Sequence, residues 1–427
     1  MQWKNIMEML KSSFGNVIEW YDFCLFGYFA STIGDTFFSN QSKFTALLFT
    51  FATFAVGFLA RPIGGFIFGW IGDKVGRYYS MNLAILIMGA ATSVVALLPS
   101  YQSIGIVAPI LLVIIRILQG LSAGGQFANL LVVTSEDDSL KNKGFYTGIA
   151  LAVSVLGFLL ASVVSYIVIN ILPNSWSQYS WRIAFAIGGI LLAIYYFYVR
   201  SDIKVLSKKE KVVIESESHD NTYLHLWRLH KLNFVISTVL SAVVCVIFYL
   251  DFIYFVTFFT QYSNLSLEQS LIINSVMLTV ACILYPLFGF LSDKIGRAQL
   301  TSIGIVLHIV LLPFIFKLIF SNDLYNINAA MLMLTVCLCV IQAAATPIFS
   351  EIFPAKVRSS GCCASYGLGA AVSGVAPMLA IQITHYHIHN LIYIFAIVLI
   401  IGLICIFPLI FNVILNHKSK VYNFKNV

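Results

Sequence analysis

The chain has 427 residues, 59% of them hydrophobic and only 10% charged, with a mean hydropathy of +0.90. Soluble domains carry about 25% charged residues, so one soluble core is excluded and a polytopic, all-α membrane protein is expected. The formal charge of +7 sits in loops, where it signals topology, and gives no support to nucleic-acid binding.

The opening stretch, MQWKNIMEMLKSSF, lacks a short apolar core followed by a small-residue cleavage site, so the first span is expected to be retained. A span needs about 20 apolar residues. Twelve fit: 13–34, 46–71, 80–98, 105–132, 145–170, 182–199, 233–259, 269–291, 299–319, 328–350, 361–384 and 391–414. The loops between them are short except for Arg200 to Lys231, which is charged and Ser-rich. The chain then divides into an N-terminal six-helix bundle (1–199), a cytoplasmic linker (200–231) and a C-terminal six-helix bundle with a short cytoplasmic tail (232–427). All eight cysteines lie in or at the ends of apolar segments and read as small hydrophobes.

With the N-terminus inside, the inner segments hold 20 of the 25 Lys and Arg, leaving Lys43, Arg61, Arg116, Arg182 and Lys317 for outer ends or spans. Basic residues collect on the cytoplasmic side, so both termini are expected there. An internal repeat supports two equivalent halves. GWIGDKVGR at Gly69–Arg77 returns as GFLSDKIGR at Gly289–Arg297, 220 residues later. Glu136, Lys141, Lys143 and Gly144 are answered by Glu351, Lys356, Arg358 and Gly361. Parallel repeats of this kind build transporters whose two bundles rock around a central site.

Five charges lie well inside spans: Glu19, Asp22, Arg61, Arg116 and Asp251. Carboxylates in hydrocarbon cost several kcal/mol unless compensated, so each marks a functional hypothesis. Glu19 and Asp22 share one helix face at i, i+3. Either the set ties helices 1, 2 and 4 together as ion pairs, or it forms a proton and substrate site; the second reading is preferred, because a buried pair without pathway access returns little stability. Glu19 and Asp22 are the candidate proton carriers, Asp22, the deeper, being preferred, and Arg116 is the partner of one of them or of a substrate carboxylate. Arg61 precedes Pro62 and either shapes the pathway or holds a bend. Asp251, in FYLDFIY of helix 7, together with Tyr249 and Tyr254, is placed on the opposite wall, where Trp20 and Tyr21 in helix 1 offer further ring faces to a cation. The candidate substrate contacts are thus Asp22, Arg61, Arg116, Gln126, Tyr249, Asp251 and Tyr254. The repeated loops are read as gates: Gly72, Asp73, Arg77, Asp293, Gly296 and Arg297 form charge pairs between helix ends and across the halves. They lack the GxxxxGK[ST] pattern of a phosphate loop. His308 is expected to be peripheral, and no metal is assigned to the alternating His385, His387 and His389.

The chain resembles the major facilitator superfamily. GDKVGR at Gly72–Arg77 looks like its signature loop, and Arg116 with Gln119 and Gly120 like its helix-4 motif. GNVIEWYDF at Gly15–Phe23, RPIGG at Arg61–Gly65, RILQGLSAGG at Arg116–Gly125, WRIAF at Trp181–Phe185 and EIFPAKVRSSG at Glu351–Gly361 resemble the bacterial metabolite:H⁺ symporters, which include proline/betaine, shikimate, citrate and α-ketoglutarate transporters. The resemblance implies twelve transmembrane helices in two pseudo-symmetric six-helix bundles. It departs at Gln126, where a Glu is expected, at Asp251, where an apolar residue is expected, and in a tail too short for the coiled coil of the osmosensing members.

The expected function is secondary active transport: proton-coupled uptake of a small polar metabolite by alternating access in the bacterial cytoplasmic (inner) membrane. The expected partners are protons, a small-molecule substrate and the bilayer, with no cofactor, the proton gradient driving a monomeric carrier. Three intramembrane acids against two arginines favour a zwitterion such as proline, betaine or another amino acid. A proton-coupled organic anion transporter is the alternative. An exporter or antiporter ranks below both, since helix 5 lacks the Gly-Pro signature of drug/proton antiporters. An appended sensor domain and a catalytic constellation both find no sequence to build them.

Overall fold

The computed structural model describes residues 2–136, 141–172, 176, 179–199 and 222–423, and among them it is helical with no strand. Among the described residues eleven helices are long and apolar enough to cross a membrane. The twelfth, α1 (Gln2–Tyr28), is the one that carries Glu19 and Asp22. The rest are α2 (Lys43–Lys74), α3 (Arg77–Leu97), α4 (Val107–Glu136), α5 (Lys143–Ile171), α6 (Ser180–Ile194), α7 (Lys231–Tyr249, continuing to Tyr262), α8 (Leu267–Ile295), α9 (Arg297–Ile319), α10 (Leu324–Ala345), α11 (Arg358–Tyr386) and α12 (Leu391–Asn423). Most of the expected linker, 200–221, lies outside the described residues; Thr222–Leu229 forms a short helix ahead of α7.

Twelve spans were legible in hydropathy, and their ends moved for physical reasons. Ser42 caps α2 by accepting from the Thr45 amide, which starts that helix three residues before the apolar run. Ser266 and Gln269 form a capping box that starts α8 early. Helix 7 is not uniformly α: Leu250–Tyr254 is a π-helical turn, inserted between Lys231–Tyr249 and Phe255–Tyr262. Nothing in the composition of that stretch announces the change.

The apolar windows of α7 and α10 are 89% and 83% buried, those of α6 and α12 only 33% and 28%. The first two are therefore interior and the second two face lipid. The halves meet along two related seams, α2 with α11 and α5 with α8; exchanging the halves converts one seam into the other. Within the N-terminal half, α2 and α4 touch backbone to backbone, since a Cβ at Gly120 would run into the Gly57 carbonyl. That approach brings Arg61 and Arg116, one from each helix, beside the acids of α1.

Candidate transport site

The four charges of the N-terminal half resolve into two pairs, and all four side chains are fully buried. Asp22 is held tightly: Arg116 donates through Nη1 at 2.8 Å and Gln119 through Nε2 at 2.8 Å, to its two separate oxygens. Gln119 also reaches Thr92 on α3 at 3.3 Å. The Arg116 guanidinium lies 3.9 Å from the Phe26 ring centre, a cation–π contact in a dry setting.

Glu19, one turn away, is held loosely. Its Oε1 is 3.6 Å from Arg61 Nη2, and neither side chain has a hydrogen-bond partner among the described residues. The Arg61 guanidinium instead lies between rings, 4.1 Å from Phe58, 4.4 Å from Phe23 and 5.2 Å from Trp20. The C-terminal half closes this box. Tyr249 packs 4.8 Å from Phe58 and 6.3 Å from Trp20, while from the N-terminal half Phe158 of α5 lies 5.3 Å from Trp20. Tyr366 and Cys245 stand within electrostatic reach of Arg61. The Tyr249 hydroxyl and both polar atoms of Gln126 are buried without a hydrogen-bond partner. Gln126 lies against Gly15, so it shares the α1 face with Glu19. A buried polar group without a bond is costly, and five such side chains or parts of them gather here: Glu19, Arg61, Trp20, Gln126 and Tyr249.

Of the expected substrate contacts, then, Arg61, Gln126 and Tyr249 come together around Glu19, while Asp22 and Arg116 form the adjacent closed pair. Asp251 and Tyr254 do not join them. Asp251 stands within electrostatic reach of Tyr285 of α8 and of Cys337 and Cys339 of α10, and Tyr254 bonds Thr384 of α11 at 2.5 Å. Both lie on the π turn Leu250–Tyr254. Tyr21 turns outward, donating to the Ala184 carbonyl at 2.6 Å. Tyr366, Phe58 and Phe158 were missed. Nothing local marks them among 15% aromatic residues, and only packing brings them to Arg61. His308, expected at the periphery, is buried against Phe395 of α12.

The repeated loops close one end of the molecule, the end that carries most of the basic residues. Asp73, at the end of α2, accepts from the Ser360 amide at 2.9 Å and from the Ser360 hydroxyl, at the first turn of α11 in the other half. Asp293, at the end of α8, accepts from the Gly144 and Phe145 amides at 2.9 and 3.0 Å, at the first turn of α5. Each aspartate thus caps a helix N-terminus across the seam, where the helix dipole favours an anion. Arg77 braces Asp73 and Glu136 (3.5 and 3.3 Å), and Arg297 braces Asp293 and Glu351 (2.8 and 3.1 Å). Arg358 adds a pair across the halves to Glu136 at 3.5 Å. The turns that follow need glycine: Gly76 and Gly296 have φ of 130° and 107°. Gly72 lies inside α2, not in the turn as the motif suggested; there a Cβ would lie 2.6 Å from the Ser359 hydroxyl of α11.

The opposite end is bridged too. Asn274 donates to the Tyr28 hydroxyl at 2.7 Å, Ser275 to Ser162 at 2.8 Å, and His385 stacks on Phe44 at 4.0 Å. With both ends bridged and the charges between them fully buried, the arrangement is occluded.

Such an architecture, two related bundles enclosing a polar, charge-bearing centre, is that of a multi-pass secondary carrier. The model of the Major Facilitator Superfamily matches residues 13–377, and the chain belongs to that superfamily. It is 32% identical over 373 residues to a citrate-proton symporter of Salmonella typhi, covering 86% of this chain and 84% of that one. It is 30% identical over 385 residues to the proline/betaine transporter of Escherichia coli (strain K12), covering 86% and 76%. The solved structure of the proton:xylose symporter XylE bound to 6-bromo-6-deoxy-D-glucose superimposes with a TM-score of 0.75 over 95% of both chains, at 17% identity. These proteins are transporters, not enzymes, and the citrate and xylose carriers among them are proton symporters.

Proposed function

We propose that this protein takes up a small carboxylate-bearing metabolite together with a proton, by alternating access between halves 1–199 and 232–427 joined by the linker 200–231. The observation that carries this reading is the loose Glu19–Arg61 pair. A substrate carboxylate that engages the Arg61 donors displaces Glu19 from the one cation paired with it among the described residues. A buried carboxylate left ionised and unpaired is too costly to persist, so Glu19 takes a proton as the cargo binds. Competition for one guanidinium couples the two. Asp22 and Arg116 hold α1 against α4 and keep a second charge pair balanced beside the site. Gln126 and the rings of Trp20 and Tyr249 define the rest of the cargo's surroundings.

The cargoes named for the two relatives, citrate, proline and betaine, all carry a carboxylate, which supports the class. Charge balance favours a zwitterion within it. Arg116 is committed to Asp22, so a single guanidinium is available, and a tricarboxylate brings more negative charge than it can offset. The ring faces of Trp20, Phe158 and Tyr249 suit the cationic end of an amino acid or betaine. A monocarboxylate is the second reading, favoured by the same single arginine. The crowding of basic residues at the Asp73–Asp293 end supports both termini being cytoplasmic, with the paired loops as the inner gate. The protein is expected to act as a monomer, with the proton gradient and no cofactor.

The test is transport in proteoliposomes with labelled proline, glycine betaine, shikimate and citrate. A zwitterion travelling with a proton carries positive charge, worth about 2.3 kcal/mol per 100 mV. An inside-negative potential should therefore drive proline or betaine uptake, and choline and pyrrolidine, which lack the carboxylate, should not compete. Competition by choline as effective as by betaine sinks the Arg61 assignment. Uptake of shikimate that ignores the potential selects the monocarboxylate reading instead.

A further inference from the structure

We propose that Asp251 is a second proton-binding site, in the half opposite Glu19, and that it carries one further proton through each transport cycle. The inference rests on the proton-coupled reading of the central site but uses none of its residues.

Asp251 is fully buried, and neither carboxyl oxygen has a hydrogen-bond partner among the described residues. The titratable groups within electrostatic reach of it among the described residues are Tyr285 of α8 and Cys337 and Cys339 of α10. Tyr285 spends its hydroxyl on Gln342 of α10. On the remaining sides, α1 meets the turn through Gly27 against Ile253, and α11 meets it through Thr384 and Ala380 against Tyr254. None of these groups is a cation. In such surroundings the carboxylate form has nothing to balance it, and the neutral acid is the form that fits. In this occluded arrangement Asp251 therefore holds a proton.

Two features make it a site that cycles, not a buried acid that stays neutral. First, Asp251 lies on the π turn Leu250–Tyr254, where the Phe255 amide bonds the Leu250 carbonyl five residues back. Such turns recur at functional sites because the looser ladder can change register. Second, the turn lies at the seam between halves: a Cβ at Gly27 of α1 would come 2.5 Å from Ile253 Cγ2. Rocking of the halves must shift this contact and, with it, the surroundings of Asp251. When the site opens outward, water reaches Asp251 and supplies its proton; when it opens inward the proton leaves to water, and the anion is tolerated until the site faces outward again.

The experiment does not depend on the cargo. Dicyclohexylcarbodiimide converts a protonated, apolar carboxyl into a stable N-acylurea. Wild-type protein in proteoliposomes is treated across a pH series and the adducts are located by mass spectrometry. The expected result is an adduct on Asp251 whose yield falls about tenfold per pH unit above its transition. No adduct there, or a yield that ignores pH, overturns the proposal. Labelling of Glu19, read in the same digest, reports on the central site separately. In a second arm, Asp251→Asn is compared with wild type for protons moved per molecule of labelled proline or glycine betaine. The ratio should fall by one with uptake retained; an unchanged ratio contradicts the proposal.

Discussion

Two carboxylate–arginine pairs lie one helical turn apart on α1 and differ in almost every physical respect. Asp22 and Arg116 meet at 2.8 Å, with Gln119 on the second oxygen. Glu19 and Arg61 stand 3.6 Å apart, without a hydrogen bond, among rings from both halves. The first pair lies within one bundle, between α1 and α4. The second lies where the bundles meet. Equal residue types and equal burial therefore do not mean equal roles. A satisfied pair fixes helices, whereas an unsatisfied one at a moving seam is available to exchange partners.

Removing one partner from the satisfied pair is the harshest way to probe this difference. Arg116→Gln strands Asp22 as a buried, unpaired acid, and breaking such a pair costs about 3–5 kcal/mol. The expected outcome is a large drop in thermal stability in detergent, with much of it restored in Asp22→Asn/Arg116→Gln. Arg61→Gln should destabilise far less, because its pair is already loose and Glu19 can hold a proton, yet it should abolish uptake. Equal melting losses for the two arginine variants would erase the distinction between the pairs.

A smaller effect is expected at the gate. Asp73→Asn and Asp293→Asn each remove an anion from a helix N-terminus across the seam, worth about 0.3–1 kcal/mol. Each should raise the accessibility of a cysteine placed at Ser359 to a water-soluble thiol reagent from the basic end, on a cysteine-free background. The two changes should act alike and roughly add, given the symmetry of the caps. A change at one loop only would show that the repeat is not matched in function.

Much of this was legible in the sequence. Twelve spans, the repeated GDKVGR and SDKIGR loops and the intramembrane charges follow from hydropathy and spacing, because the bilayer leaves few alternatives for an apolar chain. The pairing of those charges was not legible. Glu19 and Asp22 are three residues apart on one helix, and which arginine each one meets is set by the packing of α1 with α2 and α4, which no sequence pattern shows. The position of Asp251 was lost for a similar reason. Asp251 lies on a π turn, which no hydropathy window detects, and its reach to Tyr285, Cys337 and Cys339 depends on how helices pack. Phe158 joins the site through packing of α5 on α1, and Tyr366 only through contact between the halves.

The central claim is that Glu19 takes the proton when a carboxylate takes Arg61, and its most direct test is Glu19→Gln in proteoliposomes. Glutamine mimics the protonated acid, so labelled proline or betaine should still exchange across the membrane at equal concentrations. That exchange should be insensitive to pH, while in wild type cargo binding tightens as pH falls. Accumulation driven by a proton gradient should be lost. Gradient-driven accumulation that survives in Glu19→Gln, or exchange that keeps the wild-type pH dependence, would contradict the account.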